Sequence, residues 1–96
     1  SSMGILGIIL FWILNLYFYV LIARLILDFA RQANPTWRPK KLGMSLASII
    51  YALTDAPLKL VHRVIKPFRV GGLMLDLGWT ALLLVVMFLR DLAASI

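Results

Sequence analysis

Ninety-six residues make one domain at most, and 62% of them are hydrophobic, against roughly 45–50% in ordinary soluble domains. A water-soluble fold this short would leave much of that apolar surface exposed, so the composition argues against a soluble enzyme and for a single membrane domain over residues 1–96. The net charge is +6; the absence of cysteine excludes a disulfide framework or thiol nucleophile, and the single histidine, His62, cannot supply a metal cluster.

Ser1 and Ser2 ahead of Met3 read as an appended pair and carry no argument. From Met3 to Ala23 there is no charged residue, and at ~1.5 Å per residue that run crosses a hydrocarbon core of roughly 30 Å. It makes a poor secretory signal: no basic residue precedes it, its apolar stretch is too long, and no small-residue cleavage site follows. The pattern predicts a spanning helix over 3–23 that continues to about residue 34. Arg24, Asp28 and Arg31 then share one face at i, i+4, i+7, and Asn34-Pro35 stops the helix. Asn15 is the strongly polar side chain inside the span and is placed to join helices by a hydrogen bond worth about 1 kcal/mol or less. Gly4 and Gly7, three apart, are a weak signal for close helix packing. Trp12, Tyr17, Tyr19 and Trp79 read as lipid- or helix-facing aromatics.

Residues 35–70 form a basic connection. Trp37 and Arg38 suit the membrane interface. Leu42 to Thr54 reads as a short helix with Ser45, Ser48 and Ala52 on one face, too short to span and therefore interfacial or re-entrant. Pro57 is expected to open a second short helix ending near Lys66-Pro67. Along it Leu58, Val61, Val64, Ile65 and Phe68 share an apolar face, with Lys59, His62, Arg63, Lys66 and Arg69 opposite. Such a helix buries its stripe at the acyl boundary while its cations meet anionic headgroups, each adding ~1 kcal/mol. Two other readings stand beside this one: the charges simply fix orientation, or they dock an acidic partner protein. No nucleic-acid motif accompanies the patch, so no direct nucleic-acid contact is expected. His62 either titrates as a switch or stays neutral on the polar face among its cationic neighbours.

Gly71 to Leu89 is the second expected span. Asp76 near its start either caps the helix or pairs with a cation of the connection, Arg63 or Arg69. Arg90-Asp91 is expected to mark the far interface, with Arg90 snorkelling outward. Nine basic residues between Arg24 and Arg69 are opposed there by Asp28 and Asp55 alone, a net of +7, while the rest of the chain carries −1. The positive-inside rule places the connection in the cytoplasm and both termini outside. The expected fold is thus an all-α integral membrane protein: two transmembrane helices joined by a basic connection with two short amphipathic or interfacial helices.

The stretch Leu53 to Pro67, LTDAPLKLVHRVIKP, resembles the signature of the YggT/YlmG family of small bacterial and plastid membrane proteins. In that signature a Thr-(Glu/Asp)-x-Pro turn, here Thr54, Asp55 and Pro57, leads into a basic helix ending at a proline, here Pro67. A glycine-containing link follows, here Gly71-Gly72, then an apolar residue, Asp and Leu, here Leu75-Asp76-Leu77. The first span with Arg24 and Asp28 fits as well. Two positions depart: the family's paired arginines appear as His62-Arg63, and Gly78-Trp79 stands where the family usually has Ser-Pro.

The resemblance implies a non-enzymatic factor of the bacterial inner membrane, of the division-cluster type of Gram-positive bacteria. Family genes often lie near those for the membrane tether SepF and the polar scaffold DivIVA, which makes SepF- or DivIVA-like proteins the implied partners. Other members are associated with osmotic tolerance, plastid nucleoid distribution and cytochrome assembly.

Two function readings follow. The favoured one is a scaffold or accessory factor in cell division or envelope organisation, presenting Lys59, His62, Arg63, Lys66 and Arg69 to anionic lipid or a partner. The alternative is a homo-oligomeric channel or transporter linked to osmotic tolerance, with Asn15, Arg24, Asp28 and Asp76 lining a path. An enzyme is the least expected class, since paired carboxylates, a phosphate loop and a nucleophile–base set are all missing from the sequence, and no cofactor is expected.

Overall fold

The computed structural model describes residues 4–96; Ser1, Ser2 and Met3, the expected first residue of the span, lie outside the described residues. Helix α1 (Ile5–Ala33) is one uninterrupted rod of 29 residues, about 43 Å long. Its end is set by Asn34, which is held extended at φ −142°, ψ 91° by the proline that follows and still donates its N–H to the Ala30 carbonyl at 3.0 Å.

The connection differs from its expected form. Helix α2 (Lys41–His62) is a single 22-residue helix that passes straight through Pro57, so the two short helices are one. A proline at 57 has no N–H for the Leu53 carbonyl four residues back, which would normally end the helix. Here the Tyr17 hydroxyl of α1 donates to that carbonyl at 3.0 Å and supplies the donor that the proline lacks.

Helix α2 then closes at His62, well short of Lys66. The basic run does not stay helical to Arg69: Phe68–Val70 (β1) and Leu73–Leu75 (β2) form an antiparallel hairpin with Arg69 opposite Met74. Its two-residue Gly71-Gly72 connection needs a positive φ, and Gly71 takes φ 63°. Gly71–Leu75 therefore belongs to the hairpin, and the last helix, α3 (Leu77–Ser95), begins and ends about six residues later than the expected span.

Among the described residues the fold is all-helical apart from this hairpin. All three helices are long and apolar enough to cross a membrane, so length and composition do not by themselves single out two spans. The three do not pack alike. Helices α1 and α3 lie antiparallel, with Gly7 against Ala93 at one end and Leu21 bonded to Trp79 further along. A Cβ on Gly7 would come within 3.1 Å of the Ala93 carbonyl oxygen, so of the glycine pair Gly7 marks a close approach, while among the described residues a Cβ on Gly4 would meet nothing within 4 Å.

Helix α2 instead crosses this pair. Thr54 meets Arg24, while His62, eight residues and about 12 Å further on, meets Asp76 and Gly78 at the same level of the α1–α3 pair. The extents, 49 × 33 × 18 Å, agree: three rods side by side would be only about 20–25 Å wide. The core sits at the crossing, where Leu21, Leu58, Trp79 and Val86 are buried together, with Tyr17, Phe18 and Leu82 packed around them.

Outside that core the helices turn large apolar side chains outward. Ile5, Leu16 and Phe88 are 78%, 67% and 66% exposed. On α2, Leu42, Leu46, Ile49, Leu53 and Leu60 form an exposed stripe facing away from the pair. Such surface is stable against acyl chains and costly against water.

Candidate functional site

Helix continuity past the charge-free run carries Arg24 and Asp28 out on one face of α1, and the crossing of α2 brings Tyr51, Thr54 and Asp55 against them. Arg24 Nη1 donates to Thr54 Oγ1 at 2.7 Å and to Asp55 Oδ1 at 2.6 Å, while its Nε lies 3.6 Å from Asp28 Oδ2. Thr54 is fully buried and passes its own proton to the Ile50 carbonyl at 2.8 Å. The Tyr51 hydroxyl donates to Asp28 Oδ1 at 2.9 Å, and its ring carries the guanidiniums of Arg24 and Arg31 at 4.6 and 4.9 Å from its centroid. Arg24 thus faces the carboxylates of Asp28 and Asp55, while Arg31 is exposed and meets the node only through the Tyr51 ring. The chemistry of the node is clamping: one ever-charged fork joins α1 to α2 through two acceptors, Thr54 and Asp55, and forms an ion pair with Asp28 on its own helix, while among the described residues its buried Nε is left without a hydrogen-bond partner.

A second junction closes the far end of α2. His62 Nε2 lies 2.8 and 2.9 Å from the two oxygens of Asp76, and Asp76 Oδ1 also accepts the Trp79 backbone N–H at 2.9 Å, capping α3. Asp76 is therefore both cap and partner, but its partner is His62; Arg63 and Arg69 point to the exterior. Gly78 makes the approach possible, because a Cβ there would stand 2.8 Å from His62 Cδ2 and 3.1 Å from the Ile65 carbonyl oxygen. The Trp79 indole N–H donates to the Leu21 carbonyl at 3.0 Å and ties α3 to α1 at the same place. His62 and Gly78 thus lie against one another.

The predicted basic set splits. His62 turns inward to Asp76, whereas Lys59, Arg63, Lys66 and Arg69 are exposed, on α2, the link and β1. Of the nine cations from Arg24 to Arg69, eight are exposed and Arg24 alone is half-buried. Arg90 does not snorkel outward: it leans back to Asn15 Oδ1 at 3.4 Å and over the Phe18 ring at 5.0 Å, so Asn15 does join two helices. Pro57 sits inside α2 and Pro67 in the link before β1.

Tyr17, Tyr51, Gly78, Trp79 and Gln32 were not singled out by the sequence for the contacts they make. Gln32 accepts the Met74 N–H at 3.1 Å and fastens the hairpin to α1. Among the described residues no group of histidine and carboxylate side chains is arranged to hold a metal.

Apolar helices with their bulk facing outward, joined by polar contacts at one end, define a small integral membrane protein. A family model described as CCB3/YggT matches residues 3–96, and the chain belongs to that family. No curated protein and no solved structure matches it.

Proposed function

We propose that the chain is a non-enzymatic bacterial inner-membrane factor of cell division or envelope organisation. Helices α1 and α3 span, with both termini outside, and the connection lies at the cytoplasmic surface with α2 set across the pair. The observation that carries this reading is the sorting of charge: Arg24 is consumed inside the fold, while eight exposed cations stand on the segment joining the end of α1 to the start of α3. That end presents a basic surface, and the outward apolar stripe of α2 supplies the acyl-side contact an interfacial helix needs. The division role is what the resemblance of the central motif implies, together with SepF- or DivIVA-like partners.

Photoreactive residues at 63 and 66 in living cells test it. Capture of a division protein or of anionic lipid is the expected result. If neutralising Lys59, Arg63, Lys66 and Arg69 together leaves partner and lipid capture intact, the reading fails.

The channel alternative is less well supported, because each of its four polar groups is already bonded within the chain: Asn15 to Arg90, Arg24 and Asp28 in the clamp, Asp76 to His62. Ion flux in proteoliposomes that disappears on Asp76→Ala, with the fold retained, would restore it.

A further inference from the structure

Between the last turns of α1 and the hairpin lies a groove of about 450 Å³, within the ~300–1,000 Å³ range of small-molecule sites. Its apolar lining includes Leu25, Phe29, Leu77 and Trp79, and it also reaches Arg31 on α1 and Arg69 on β1. The two arginines are brought together by the fold. Met74 donates its N–H to Gln32, next to Arg31, and Arg69 is the cross-strand partner of Met74. A second hollow shares the same two arginines. Among the described residues neither guanidinium meets a carboxylate in an ion pair: Arg31 leans on the Tyr51 ring, and Arg69 is free of such contacts.

We propose that this groove holds one anionic phospholipid of the inner leaflet. Its phosphodiester lies between Arg31 and Arg69, and the upper part of an acyl chain lies along Leu25, Phe29, Leu77 and Trp79. Charge complementarity selects the headgroup, since guanidinium forks match phosphate oxygens. Asp28 and Asp76 also line the groove, but both are engaged, by Tyr51 and Arg24 and by His62 and the Trp79 N–H. They hold the phosphate at the rim and leave the deeper part to hydrocarbon. Phe29 and Leu77, both about half exposed, join the groove to the outward apolar surface of α1 and α3, which a soluble anion would not use. The inference deepens the proposed function and rests on its reading that this end of the molecule meets anionic headgroups.

The test uses the full chain in phosphatidylcholine vesicles doped with phosphatidylglycerol that carries a photoreactive group in its acyl chain. Cross-links are mapped by peptide. The wild type should label peptides around Leu25–Phe29 and Leu77–Thr80. Arg31→Gln with Arg69→Gln should lower that labelling about tenfold or more. Lys59→Gln with Arg63→Gln, which lie outside the groove, should lower it by less than the groove pair does. All four positions are exposed, and an unchanged thermal unfolding midpoint in detergent shows that each variant folds.

If the groove variant labels like the wild type while the Lys59/Arg63 variant loses its labelling, the groove is overturned and the general basic face survives. If phosphatidylglycerol is never preferred over a matched phosphatidylcholine probe, the groove falls together with the lipid half of the proposed function. Full competition by glycerophosphate, which lacks acyl chains, would make the site one for soluble phosphate. Cross-linking of the groove peptides to a second copy would make it a contact between chains. Either result overturns the lipid assignment.

Discussion

At Thr54 helix α2 is held by a guanidinium that donates to two acceptors, pairs with a carboxylate of its own helix and stacks on an aromatic ring; eight residues later, at His62, it is held by one imidazole–carboxylate contact fitted against a glycine. The first junction is a shared charge network whose members lose their partners together. The second is limited by space, because the imidazole reaches Asp76 only where Gly78 leaves room. Losing the centre of a network costs more than losing its edge, whereas a steric fit fails at its tightest contact.

Arg24→Met should produce the largest loss, about 2–4 kcal/mol, because buried Thr54 and the Asp55 carboxylate lose their common donor and Asp28 loses its ion-pair partner. Unfolding in mixed micelles reads it, and Arg24→Lys should recover only part, since an ammonium cannot reproduce the fork. Gly78→Val ranks next at about 1–3 kcal/mol, with the His62–Asp76 contact broken while the Arg24 clamp stays intact. Histidine NMR shifts would show which junction has opened.

Tyr17→Phe should cost about 1 kcal/mol by orphaning the Leu53 carbonyl. Adding Pro57→Ala should remove most of that cost, because alanine restores the N–H which that carbonyl lacks. A double-mutant cycle with no coupling would contradict the account of the uninterrupted α2. Smallest of all, Lys59→Gln with Lys66→Gln should change stability by no more than about 0.5 kcal/mol while reducing capture of anionic partners, separating the exposed cations from the clamp.

The α1–α3 framework was legible because a charge-free run and an Asn-Pro stop are local signals. The spacing of Arg24 and Asp28 likewise placed them on one face. What they grip was not legible, since Tyr51, Thr54 and Asp55 lie 23 or more residues away and meet them only through the way α2 crosses. Pro57 misled for the same reason: read locally it starts a helix, and the hydroxyl that keeps it inside one comes from a tyrosine 40 positions earlier in the chain. The glycine pair marked a link, but its hairpin moved the last helix toward the C-terminus and left Arg90 within reach of Asn15. The sequence singles out Asp76 as a cap or an ion-pair partner, yet it points to Arg63 or Arg69 rather than His62, because the room provided by Gly78 exists only after packing.

The central claim is that α1 and α3 span while α2 lies across them at the cytoplasmic surface, and its parity can be measured directly. Single cysteines replacing Gly4, Lys66 and Ser95 would be labelled in intact and in permeabilised cells with a membrane-impermeant maleimide. The account predicts that 4 and 95 react from outside and that 66 reacts only after permeabilisation. If 4 and 95 react from opposite sides, α2 also crosses the membrane, and the basic face and its lipid site must be placed anew.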